Sequence, residues 1–251
     1  SVIIFNTVQW YDSYIYRIFH MDDFLNLHIG LEGLSIVMSF CIFFISYYIT
    51  ARARNLRTIV FMCTFLSVGV LDAMHTLSYD GMPGFLTEAC VPIATSFWIA
   101  ARMVAAQGML IAGLIRGNRK IKLHRYYFVA ASLFLSGLMI YIVIWHQDFF
   151  PPLFVEGVGL TSFKVNLEYL IIIIQLISMF LFFGIYNRGE ETEEYKYIIL
   201  SLMLSIFSEL AFTLYSNVYD TYNLLGHIYK IFAYYLIFKA KFVLNVQKPY
   251  L

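Results

Sequence analysis

The sequence predicts an all-α polytopic membrane protein, a seven-helix transmembrane bundle with its N-terminus outside and its C-terminus in the cytoplasm. Three observations carry that expectation. First, 61% of the 251 residues are hydrophobic and only 13% are charged, against about 25% charged in soluble domains. Second, seven apolar stretches of roughly 20 residues recur along the chain, each long enough to cross the hydrocarbon core as a helix. Third, the basic residues between those stretches fall almost entirely on one side.

The elements follow in order. Residues 1–23 are aromatic and lack a basic leader and a small-residue cleavage site, so they read as an amphipathic segment at the interface. Spans are expected at about 24–49, 57–79, 92–115, 126–146, 165–187, 195–216 and 222–245. The breakers "GMPG" and "FFPPLF" interrupt two of the connections. One set of connections holds thirteen basic residues: Arg52, Arg54, Arg57, Arg116, Arg119, Lys120, Lys122, Arg125, Arg188, Lys196, Lys239, Lys241 and Lys248. The opposite set holds two, Arg17 and Lys164. The positive-inside rule places the richer set in the cytoplasm. Trp10, Trp98 and Trp145 then fall on the outer side, as an interfacial belt would. The acidic run Glu190–Glu194 is expected to be a solvated cytoplasmic loop. No 20–50-residue repeat is visible, and residues 24–245 read as one domain.

Ionisable residues inside spans are costly and usually functional. Here they are His28 and Glu32 in the first span, Asp72 and His75 in the second and Arg102 in the third. Glu168 follows in the fifth, Glu209 in the sixth, and His227 and Lys230 in the seventh. At about 1.5 Å per residue, all lie roughly 5–14 Å below the outer boundary. Six of the seven spans contribute to this single layer; the fourth does not. The inner half is filled by runs such as "FCIFFISYY" and "IIIIQLISMFLFF". His28/Glu32 and Trp98/Arg102 are spaced i, i+4, while Asp72/His75 and His227/Lys230 are spaced i, i+3, so each pair shares a helix face. Glu32, Asp72, Glu168 and Glu209 outweigh Arg102 and Lys230 by two charges, an expensive surplus in low dielectric. A divalent cation, protonated carboxyls or protonated histidines would cancel it. Lys164, one turn before Glu168, can also lean in.

His28, Glu32, Asp72 and His75 form a set of the kind helix bundles present to metals, and nitrogen and oxygen ligands suit a divalent transition metal. Two other readings of the same residues are an organic or gaseous ligand and a hydrogen-bond network that pins helices together. Haem would need a facing pair, which His28 with His75 or His227 could supply; a quinone pocket is a further alternative. Arg102 serves as counter-ion or as anchor for an anionic ligand. His20, His124 and His146 sit at span boundaries and are expected to be solvated. Cys41, Cys63 and Cys90 show no metal or disulfide spacing. No hydrolase elbow, P-loop or dinucleotide fingerprint occurs, so no enzymatic site is expected, and a net charge of +1 points to no nucleic-acid partner. A proton-coupled transporter would need a polar path through the inner half.

Five blocks carry a family resemblance: "FLNLHIGLEGLSIV", "FLSVGVLDAMHTLSYDGMPGF", "SFWIAARMVAAQGML", "GVGLTSFKVNLEYLI" and "SELAFTLYSNVYDTYNLLGHIYKIFAYYLIFKA". Together they resemble the third type of bacterial and archaeal membrane-associated sensor domain over nearly the whole chain. The resemblance implies a multi-pass input module of the prokaryotic plasma membrane, set ahead of a cytoplasmic histidine kinase or diguanylate cyclase output. Residues 246–251 would begin that connection, and a homodimer is expected with such outputs. The family's characteristic positions fall on His28, Glu32, Asp72, His75, Trp98, Arg102, Lys164, Glu168, Glu209, Tyr215, His227 and Lys230. Of these, His28, Glu32, Asp72, His75 and His227 are the expected metal or ligand contacts, and the rest a supporting network. The first three spans also resemble the copper-binding region of ethylene receptors. Asp72 stands near the position of the cysteine ligand there, and without that thiolate copper(I) chemistry loses its main support.

Overall fold

The computed structural model describes residues 6–7, 16–117, 119–155, 158–189 and 192–242. Seven long helices run through them: α1 (Met21–Ala53), α2 (Leu56–Leu77), α3 (Val91–Leu114), α4 (Arg125–Trp145), α5 (Ser162–Tyr186), α6 (Thr192–Leu214) and α7 (Thr221–Phe242). The expected bounds agree to within a few residues, except that α1 extends further at both ends. Residues 243–245 of the last expected span, residues 246–251, and most of the interfacial segment lie outside the described residues.

Local signals set the ends. The Asn55 side chain accepts from the Arg57 backbone N–H (2.8 Å) at the start of α2, and Thr161 accepts from Lys164 N–H (3.2 Å) at the start of α5, both N-cap bonds. Pro92 sits in the first turn of α3, where its missing N–H costs nothing. Asp220 accepts from the backbone N–H groups of Ser216, Asn217 and Asn223 and so caps α7. In the "GMPG" turn Gly81 has φ +89° and a Cβ there would stand 2.3 Å from the Met21 side chain. Only glycine meets both conditions.

Six helices, α1 to α6, are long and apolar enough to cross a membrane. The seventh is less apolar because Tyr222, Asn223, His227 and Lys230 lie along it, and all four are buried against the other helices. The helices close into a ring in the order α1, α2, α3, α5, α6, α7 and back to α1, while α4 packs outside against α2. Ser132 and Ser136 are the buried residues of α4; its outer face, with Phe134 71% exposed, suits lipid contact.

The inner half of the ring is an apolar core of Ile42, Phe61, Phe65, Met109, Phe182, Ile198, Leu202 and Ile237. Its cytoplasmic rim departs from the sequence expectation. Glu193 and Glu194 belong to the first turn of α6 rather than to a solvated loop, and Glu194 is buried, 2.5 Å from Lys241 Nζ. An acid is favoured at a helix N-terminus, and α7 brings a cation to meet it. Lys241 also lies 3.7 Å from the centroid of the Phe61 ring. Arg57, buried beside them, donates to the carbonyls of Ala112 and Ile115 at the C-terminal end of α3.

The tryptophan belt needs a correction too. Trp145 is exposed at the outer end of α4, but Trp98 is 4% exposed and stands inside the ring. Its i, i+4 partner Arg102 faces inward, and the indole goes with it. Trp10 lies outside the described residues.

Candidate functional site

The charged layer predicted from sequence occupies the outer half of the ring. His28, Glu32, Asp72, Arg102, Lys164, Glu168, Glu209 and Lys230 are all buried, and they form three connected groups.

The first group is histidine-rich. The ring centroids of His28 lie 5.3 Å from His75 and 4.7 Å from His227, with 6.2 Å between the latter two. One ligand atom from each of His28, Glu32, His75 and His227 lies within 4.8 Å of the others. Three protein nitrogens about a tetrahedral zinc-sized ion, with bonds of about 2.0–2.1 Å, stand roughly 3.3 Å apart. The spacing here, up to 4.8 Å, is wider than that.

The hydrogen bonds fix how these groups present themselves. His75 Nδ1 lies 2.8 Å from the carbonyl oxygen of Ala94. A carbonyl only accepts, so the proton is on Nδ1 and the Nε2 lone pair is bare. His227 Nδ1 lies 2.7 Å from Glu32 Oε1, which by the same logic leaves its Nε2 bare. Both ring nitrogens of His28 lack a hydrogen-bond partner among the described residues. Glu32 also accepts from Lys230 Nζ, at 2.8 Å to Oε1 and 2.6 Å to Oε2. Glu32 is thus placed as the carboxylate that orients an imidazole, a usual outer partner of metal-binding histidines, and the three imidazoles are the groups left open.

The second group is the ion-pair chain behind the histidines. Arg102 Nη2 donates to both Asp72 oxygens, at 2.8 and 3.0 Å. Lys230 Nζ lies 3.1 Å from Asp72 Oδ2 and so links Asp72 to Glu32. Asp72, expected among the ligands, has its oxygens turned to these two cations. The Arg102 guanidinium lies 4.9 Å from the Trp98 ring centroid, a cation–π contact.

The third group lies between α5 and α6. Lys164 Nζ lies 2.5 Å from Glu168 Oε1, donates to the Phe212 carbonyl at 2.8 Å and stands 4.4 Å from the Tyr215 ring centroid. Glu209 is buried, with Oε2 lacking a hydrogen-bond partner among the described residues. With Lys164 included, the layer holds four acidic side chains and three basic ones.

Three residues that pattern reading passed over complete the surroundings. Tyr79 stacks on His28 at 3.8 Å. Phe212 lies 5.1 Å from His227, and Asn223 donates to the Val218 carbonyl at 2.8 Å. Two were within reach of the sequence: Tyr79 is i+4 from His75 and Asn223 is i−4 from His227, so each shares a histidine's face. Near the rim, burial and the bond from its hydroxyl to Asp80 (2.7 Å) push the Tyr219 phenol above its ordinary pKa.

A cleft opens beside this group at the end of the bundle formed by the α2–α3 and α6–α7 connections. It offers about 30 Å³ of room, and His75, Tyr79, Trp98, Phe212, Asn223 and His227 are among its lining residues. The histidine and indole rings stand close together. His28 lies within 5.3 Å of both His75 and His227, and Trp98 lies 5.3 Å from each.

The helix crossing behind the cleft is tight. A Cβ on Gly226 would stand 2.3 Å from the Phe212 ring, and Ser208 donates to the Gly226 carbonyl at 2.8 Å. Gly226→Ala is therefore expected to destabilise the protein by about 1–3 kcal/mol through overpacking, read as a lowered midpoint of thermal unfolding in detergent. An unchanged midpoint would show that α6 and α7 yield freely there.

The sequence profile of the MASE3 family, described as a membrane-associated sensor domain, matches residues 19–249. The chain matches no curated protein and no solved structure.

Proposed function

Because the chain belongs to the MASE3 family of membrane-associated sensor domains, we propose that it is a multi-pass sensory input domain whose signal is read at the outer histidine group. His28, His75 and His227 bind a divalent transition metal through their ring nitrogens, and Glu32 orients His227. The observation that carries this reading is the convergence of three buried imidazoles, two of them with Nδ1 tied so that Nε2 is bare. A purely structural network would leave fewer ring nitrogens without partners, since buried polar groups are normally hydrogen-bonded.

The three histidines come from α1, α2 and α7. Drawing them onto one ion repositions α7 against its neighbours and shifts the population of packing states. α7 leads on to the basic exit "KAKFVLNVQKPYL", and residues 246–251 connect to a cytoplasmic output, a histidine kinase or diguanylate cyclase acting as a homodimer. The role of residues 24–245 is sensing rather than catalysis. A transport role is not supported by the inner half, where Phe61, Phe65, Phe182 and Ile198 are packed together.

Metal analysis of the protein purified in detergent tests the reading. One transition-metal ion per chain is expected in the wild type, and His75→Ala should abolish it. Full occupancy in that variant would sink the site, and a Soret band would replace the metal reading with haem.

A further inference from the structure

The cleft beside the histidines points to a second ligand. We infer that the metal keeps one coordination position turned toward the cleft, and that a small monoanion arriving from the outer side fills it, with the Trp98 indole N–H as its hydrogen-bond donor. This rests on the metal reading above and goes beyond it, because it names what the sensor samples.

Four observations carry it. The Glu32 oxygens already accept from His227 and Lys230, which leaves the three imidazoles as the protein ligands of the reading above. Three protein ligands with one exchangeable position is the open arrangement of reactive metal sites. His75 and His227 both line the cleft, so the ion they hold faces it.

The cleft also carries polar atoms with nothing to bond. Trp98 Nε1 and Asn223 Oδ1 are buried and lack hydrogen-bond partners among the described residues, and both residues line the cleft. An indole N–H only donates, so it calls for an acceptor. Its ring centroid lies 5.3 Å from those of His75 and His227, beside the place where a metal-bound ligand would stand.

Charge decides the sign of the guest. Within the layer Asp72, Glu168 and Glu32 are paired with Arg102, Lys164 and Lys230. A divalent ion held by three neutral imidazoles adds two positive charges, more than Glu209 can offset, and a small monoanion reduces the excess. Uncompensated charge at this depth is costly, so the metal-loaded site selects for an anion.

Size sets the class. The cleft offers about 30 Å³ of room, with Tyr79, Phe212 and Tyr215 among its lining residues. A guest of a few non-hydrogen atoms fits. The step is a ligand exchange: a water leaves the metal, and a lone pair of the anion takes its place with no change in oxidation state.

Cobalt(II) and azide test this on the full chain in detergent. The protein is loaded with cobalt, its cobalt content is measured, and azide is added while the visible absorption is followed. A saturable spectral change with one azide per bound cobalt is expected. Trp98→Phe, measured per bound cobalt, should weaken azide binding about tenfold, which corresponds to about 1.4 kcal/mol. One cobalt per chain with a spectrum indifferent to azide would overturn the inference and leave the metal reading standing. Failure to bind cobalt would remove the metal reading and this inference with it. Equal azide affinity in the Trp98→Phe protein would remove the indole as the donor.

Discussion

Asp72→Ala is expected to lower stability by about 3–5 kcal/mol, the range for removing one partner of a buried ion pair. Both Asp72 oxygens receive Arg102 Nη2, and Lys230 approaches from the other side at 3.1 Å. Without the carboxylate, Lys230 keeps Glu32, but Arg102 loses its salt bridge to Asp72. Its Nε already lacks a hydrogen-bond partner among the described residues. The guanidinium would then be a buried charge over the Trp98 and Tyr234 rings, with Glu209 the nearby acid left to it. Thermal unfolding in detergent, followed by circular dichroism, checks this. A loss under about 1 kcal/mol would mean that water or lipid headgroups reach Arg102. Asp72→Asn, which keeps the shape and an acceptor oxygen, should fall between the two proteins.

Glu32→Gln should weaken metal binding about 10–100-fold, the usual cost of losing an outer-shell partner. The amide still fills the space, but it gives His227 Nδ1 a poorer acceptor and Lys230 no countercharge nearer than Asp72. Chelator competition measures the change. Complete loss of the ion would identify Glu32 as a ligand in its own right. Unchanged affinity would mean that His227 is not oriented by it. The contrast with His75→Ala, which removes a ligand nitrogen outright, separates the two roles.

Much of the ring was legible in the sequence. The six spans that contribute to the charged layer are the six that close the ring, and α4, which contributes nothing to it, is the helix left outside. The reason is physical: only a helix with an inward face can bring a charge to a partner. Spacing along one helix also worked, as with Trp98 beside Arg102. Partners on different helices were not legible. Glu32 serves His227, 195 residues away, because α1 and α7 are neighbours with a particular relative rotation, and periodicity does not encode rotation. The same gap explains why Asp72 was grouped with the histidines and why Lys164 was counted only in part. The weak apolarity of α7 has a related cause, since its polar residues point inward.

One property of α7 bears on how the module transmits. Between His227 and Phe242 the sequence has neither proline nor glycine, the usual places where a helix bends. His227 lies at the histidine group and Lys241 at the contact with Glu194 and Phe61, about 21 Å apart along the axis at 1.5 Å per residue. Under the proposed sensing role, such a helix would act as a drive shaft rather than a cable, and a small turn imposed on the imidazole would reach the Lys241 ammonium as torque.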